Sequence, residues 1–185
     1  MRHLLLICFF LFTQGFLFSQ IINLEEQKLY NLIMEYRESI GLPVIPLSGS
    51  LTFVAQTHVK DLQTKGLVNE TCNLHSWSSN GSWTSCCYTS DHAKASCMWG
   101  KPRELTNYKG DGYEISYGSY GMSASAEGAL NSWKGSSGHN AVIINQGIWS
   151  DNYWKAIGIG ISNGYAVVWF GTEVDYAPKP TVKSN

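Results

Sequence analysis

Cys72, Cys86, Cys87 and Cys97 lie close together in the middle of the 185-residue chain, and the only other cysteine is Cys8 near the N-terminus. An even set of cysteines in an exported chain reads as a disulfide framework, and here it limits the fold more than any other feature. Three pairings are possible for such a set. A bridge between the adjacent Cys86 and Cys87 is strained, so the two remaining schemes send each outward, one to Cys72 and the other to Cys97. The rival is a metal knot with His75 or His92. The Cys-x13-Cys-Cys-x9-Cys spacing lacks the Cys-x2-Cys pair that zinc sites favour, which places disulfides first.

Export itself is read from the N-terminus. Met1-Arg2-His3 is a short basic opening, the run from Leu4 to Phe12 is apolar and continues to Phe18, and charges appear only at Glu25, Glu26 and Lys28. This layout predicts a signal peptide over residues 1–19, cut after Ser19. The alternative is an anchor helix, but the run is short and is interrupted by Thr13, Gln14 and Gly15. A domain over 20–176 is then expected, followed by a polar, proline-bearing tail over 177–185 that should fray. The location expected is secreted, extracellular or periplasmic. No later apolar run reaches spanning length, so no transmembrane segment is expected in the mature chain. Basic and acidic residues nearly balance, 13 against 14, with no basic stripe, which disfavours nucleic acid as a partner.

Periodicity predicts the elements. Asn23 with Glu26 is a capping-box variant before Leu29, Leu32, Ile33, Tyr36 and Ile40 at helical spacing, and Gly41 is a stop. A second helix is predicted from about Ser50 to Lys65, with His58 on its apolar face. Val44 to Leu47 can form only a short or edge strand. Residues 67–122 show little periodicity; a short helix over Asp91–Trp99, stopped by Gly100 and Pro102, and an alternating strand over Tyr113–Tyr117 are the readable parts. Ser123 or Ser125 opens a helix ending near Gly135. Lys155–Ile161 and Gly164–Phe170 form two strands joined at Asn163-Gly164, a strong hairpin signal. The set predicts an α+β fold with helices packed around an antiparallel sheet.

The histidines carry the chemistry. His58 is expected to be a core histidine with one hydrogen bond, and His92 to be exposed. His75 and His139 sit in loops of small polar residues, Cys72 to Trp77 and Ser136 to Asn140. Nothing local ties them together, and by spacing alone both read as surface histidines.

The ordered motifs alter that reading. Arg37 with Gly41-Leu42-Pro43, Ala55, His58 and Asp61 on the second helix, His75-Ser76, and Trp-x2-Ser-x-Gly-His-x-Ala-x-Ile-x-Asn from Trp133 to Asn145 follow one another along the chain, with closing strands at Ala156–Gly160 and Tyr165–Gly171. This series resembles the CAP superfamily, the cysteine-rich secretory, antigen 5 and pathogenesis-related proteins, and its secreted bacterial members above all. The resemblance implies an α-β-α sandwich with a central antiparallel sheet flanked by helices, and a cleft where His75 and His139 converge. The family's Gly-Glu-Asn-Ile glutamate falls on Gly112-Tyr113-Glu114-Ile115, one position out of step. A one-residue shift turns a strand side chain to the other face, so a bulge is expected to bring Glu114 to the site. A second glutamate found in eukaryotic members is replaced by Ser136, and Glu127 reads as a solvated charge. His75, His139 and Glu114 would then bind ligand and could hold a divalent cation, zinc first among them. The expected function is a secreted binding module for a small apolar or peptide ligand. The alternatives are a metal-assisted hydrolase, a peptidase or esterase with Glu114 as base, and a structural or adhesive disulfide domain.

Overall fold

The computed structural model describes residues 19–119 and 121–183. All of the expected signal peptide except Ser19 lies outside the described residues.

Helix α1 (Leu24–Ser39) opens on a reciprocal capping box: the Glu26 N–H donates to Asn23 Oδ1 at 2.8 Å, and the Asn23 N–H donates to the Glu26 carboxylate at 2.8 Å. It exits through Gly41 at φ +77°, a left-handed conformation that a glycine adopts freely. Helix α2 (Gly49–Asp61) is capped by Ser48, whose Oγ accepts from the Leu51 N–H at 2.9 Å. It ends short of the expected Lys65 because its last turn tightens: the Gln63 and Thr64 N–H groups bond to Lys60 and Asp61, three residues back. The irregular middle then gives two short helices, α3 (Ala95–Trp99) and α4 (Lys101–Leu105). The predicted start at Asp91 is not used, since His92 stands at φ +58°. Pro102 opens α4 instead of ending a helix, because the first turn needs no N–H from it.

Strands β2 (Gly112–Gly118), β3 (Ala156–Ser162) and β4 (Tyr165–Gly171) form an antiparallel sheet in the order β2-β4-β3, with Asn163 at φ +50° in the predicted hairpin turn. Between them in sequence come α5 (Ala126–Gly135), capped by Ser125, α6 (Ser137–Ile143), and a short 3-10 turn at Gly147–Trp149. One sheet face packs on α2 and the disulfide region through Leu51, Val54, Ala55, Trp77, Val167 and Trp169. The other packs on α1, α5 and α6 through Leu29, Ile33, Trp133, Ile115, Ile159 and Phe170. The result is the expected α+β sandwich of helices around a sheet.

Helix α2 lies against β3 at backbone distance. A Cβ at Gly158 would fall 2.1 Å from the Leu51 carbonyl carbon, and one at Gly160 would fall 2.5 Å from the Ala55 oxygen. The tail departs from expectation. Instead of fraying, β5 (Thr181–Val182) pairs in parallel with β1 (Ile21–Ile22), and the Thr181 and Lys183 N–H groups each donate at 2.8 Å to Gln20 and Ile22 carbonyls. Upstream of it, the Asp175 carboxylate accepts from Ser48, Ser50 and the Ser50 N–H at the start of α2, which directs the tail across the molecule.

Candidate functional site

The segment carrying His75 is fixed before it reaches the sheet. Asn73 Oδ1 accepts from the His75 N–H at 3.0 Å, and the Asn73 N–H donates to Tyr88 at 2.9 Å. Trp77 and Cys86 exchange main-chain bonds of 2.7 and 2.9 Å. Disulfides join Cys72 to Cys87 and Cys86 to Cys97, one of the two schemes the spacing left open. Two bridges of this kind belong to an oxidising compartment.

Glu114 lies behind this segment with a fully buried side chain. Its Oε2 faces His75 Nδ1 at 2.8 Å, and its Oε1 faces His58 Nδ1. His58 Nε2 lies 2.9 Å from the Ser76 carbonyl. A carbonyl only accepts, so Nε2 of His58 carries a hydrogen, and a further proton must sit between its Nδ1 and Glu114. His58 also stacks on Trp77, with ring centroids 4.3 Å apart and planes 7° apart. Burial alone would push the Glu114 carboxyl up; the charge and hydrogen bond of His58, then those of His75, outweigh it and hold the group below its ordinary value. His75 therefore donates Nδ1–H to the carboxylate, which leaves Nε2 as its unengaged ring nitrogen among the described residues.

His139 arrives from the other layer. It is not in a loop, as expected, but in the first turn of α6, because Ser136 and Ser137 restart the chain as a helix after α5. Arg37 secures the far end of α6: buried, it donates to the Ile143 carbonyl and, at 2.7 Å, to Asn145 Oδ1. Burial lowers the Arg37 pKa to about 10, which leaves it charged at neutral pH. His139 is held below its ordinary value by burial first, then by the nearby His75, with Glu114 acting in the opposite sense.

The two histidines and Glu114 line one cleft of about 480 Å³, together with Tyr113, Tyr88, Trp99 and Trp149. No bulge is needed, contrary to expectation. The β2–β4 register runs unbroken from Gly112 opposite Gly171 to Gly118 opposite Tyr165. Because β2 is the edge of its sheet, the cleft lies across that edge and takes residues from both faces: Glu114 from one, Tyr113 from the other. His92 is exposed at the rim, where its Nδ1 lies 2.9 Å from the Tyr88 hydroxyl. Glu127 is half-exposed and paired with Lys28, away from the cleft.

As a set of metal ligands the predicted trio changes. Both Glu114 oxygens are already engaged by imidazoles, and among the described residues no group of three His, Cys, Asp or Glu side chains is arranged to hold an ion. The donor chemistry fits only the two imidazoles as direct ligands, with Glu114 as the carboxylate that orients His75. His58 is the site residue that the sequence reading placed in the core with a single bond. The signal for it was indirect: a glutamate on a buried strand needs a partner, and His58 is the histidine on the helix that packs there.

No protein-family model and no curated protein matches the sequence. Solved structures do match. An outer surface protein of Borrelia burgdorferi superposes with a TM-score of 0.55 at 17% identity, over 80% of this chain and 92% of its own. An extracellular protein containing an SCP domain from Bacillus anthracis gives 0.55 at 15% identity, over 80% of this chain. A cysteine-rich secretory protein from Staphylococcus aureus gives 0.52 at 14%, again over 80%. The chain spans 40% and 39% of the lengths of the latter two. These likenesses show the fold, which is the SCP, or CAP, architecture that the ordered motifs resemble.

Proposed function

We propose that this is a secreted binding module whose cleft takes a small ligand with an apolar body, an apolar molecule or a short peptide. The observation that carries the reading is the cleft itself: a cavity of about 480 Å³, within the usual range for ligand sites, with aromatic walls and two imidazoles. The His58–Glu114–His75 chain supports it, since it fixes one imidazole by Nδ1 and leaves its Nε2 unengaged for a ligand. The disulfides and the predicted signal peptide support export, as do the outer-surface and extracellular proteins that share the fold.

A divalent cation is the second reading, favoured by the same feature. An imidazole whose other nitrogen is tied to a carboxylate is a well-oriented ligand. His75 Nε2 and His139 would hold the ion, zinc by preference for imidazole, and it would supply a Lewis acid in the cleft.

Native mass spectrometry of the purified protein, with and without added zinc and apolar or peptide mixtures, tests both readings. Retention of a ligand that is lost on His139→Ala supports the binding module. Zinc retained at one equivalent, and lost in both His75→Ala and His139→Ala, supports the cation site. Turnover of ester or peptide substrates that the same substitutions abolish would instead make the protein a hydrolase. No ligand, no metal and no turnover in any form would leave a structural domain.

A further inference from the structure

We infer that the cleft recognises a peptide bond, the N–H and C=O of Glu114 on the free edge of β2 pairing with the main chain of an extended, uncharged peptide segment. The inference rests on the reading of the cleft as a ligand site and names what that site takes.

The direction of the main chain follows from the ladder. The Ser119 N–H donates to the Gly164 carbonyl at 2.7 Å, in the same register as the β2–β4 pairs. Bonded and non-bonded pairs alternate in an antiparallel ladder. Tyr113, Ile115 and Tyr117 therefore bond to β4, while Glu114 and Ser116 turn their N–H and C=O away from the sheet. Trp133 confirms this at one position, its Nε1–H reaching the outward Ser116 carbonyl at 2.9 Å. The Glu114 N–H and C=O have no such partner among the described residues. Glu114 is 6% exposed although its side chain is 0% exposed, so the surface it gives to the cleft is main chain.

A free edge of this kind is a template for an added strand. Main-chain donors and acceptors complement another main chain, and charge agrees. No lysine, arginine or aspartate lines the cleft among the described residues, and the one carboxylate is enclosed behind His75. A neutral backbone fits where an ionic ligand does not. Strand alternation then sets the side chains. The residue opposite Glu114 faces the His75 imidazole, whose Nδ1 is held by Glu114, and so should be polar or small. Its two neighbours face Tyr113 and Trp149, and so should be apolar.

The test is a panel of capped tripeptides with apolar ends and Ser, Thr, Asn or Gly at the centre, titrated against the protein by NMR. For the tightest binder, two isomers are compared, N-methylated at the central residue or at the residue after it. Loss of a main-chain hydrogen bond predicts about fivefold to tenfold weaker binding, or worse, for the first isomer only. The Glu114 amide should also exchange more slowly with peptide bound. Equal binding by both isomers would overturn the pairing, yet leave the cleft reading intact if His139→Ala still abolishes binding. Failure of the whole panel, with another small apolar ligand seated in the cleft, would likewise overturn the pairing alone. Absence of any ligand would remove both.

Discussion

Glu114 sits with no exposed side-chain surface between two imidazoles, and the balance of charge at that point governs the cleft's chemistry. Removing one partner of a buried charged pair leaves the other uncompensated, at a cost of about 3–5 kcal/mol. His58→Ala should therefore lower stability by that order in denaturant melts, and adding Glu114→Gln should recover part of the loss by removing the charge. The sign of the pH dependence follows from the shifts. Glu114 is held below its ordinary 4.5, so its contribution is present above that value and lost as pH falls through the folded one. His139 is held below 6.5, so the unfolded chain takes up protons first and stability drops as pH falls from there. Both act in the same direction, opposite to Glu26, whose carboxyl burial raises, so melts from pH 7 to 4 should fall more steeply for the native protein than for His139→Ala. His75→Ala should reduce that of His139 by raising its titration point, which NMR reads directly. At this scale the sequence showed the residue types but not their pairing. His75 and Glu114 were legible through ordered motifs. The His58–Glu114 contact was not, because it joins a helix to a strand 56 positions later through burial that no local pattern encodes.

The elements were easier to read where local chemistry decides them. Asn23 with Glu26, Ser125 and Asn163-Gly164 each satisfy or bend the backbone within a few residues, and helices α1 and α5 and the closing hairpin follow from them. The region from 67 to 108 was opaque because disulfides and aromatic packing, not periodicity, hold it. Its role is to fix the His75 segment, and that is testable. Replacing both Cys72 and Cys87 by serine opens a loop whose ends are 15 residues apart. The expected loss is about 3 kcal/mol, and His75 should be the site residue whose NMR signals broaden most. The α2–β3 contact makes a second prediction. Because the Ala55 carbonyl would lie 2.5 Å from a new methyl, Gly160→Ala must push α2 off the sheet. A loss of about 1–3 kcal/mol is expected in thermal melts, whereas Gly138→Ala, with open space around it, should lose far less.

On the scale of the whole molecule, the cleft exists because two helical layers reach past the same sheet edge. His75 comes from the α2 side and His139 from the α6 side, and β2, the strand between them, has no strand partner on its outer side. The spacing of the two imidazoles is thus set by how α6, packed on α5, is tied to α1, and Arg37 is the residue that ties its far end. Its guanidinium reaches the Ile143 carbonyl and Asn145 at the end of α6, and Pro43 at 3.2 Å just beyond α1. Arg37→Met keeps the bulk but removes every one of these bonds, leaving the buried Ile143 carbonyl without this donor, while the exposed Pro43 and half-buried Asn145 can turn to water. A buried carbonyl left unmet costs about 1–3 kcal/mol, so a clear loss of stability is expected. The sharper consequence lies some distance away. If α6 loosens, His139 should become better hydrated and move away from His75, the two causes that now lower its titration point. NMR titration of Arg37→Met should then place His139 closer to its ordinary 6.5, with His75 left in its bond to Glu114. An unchanged His139 in a destabilised variant would mean that α6 is held in register by its apolar face, through Val142 and Ile143, and by the Tyr36 hydroxyl on Asn140, and that Arg37 stabilises the fold without shaping the cleft.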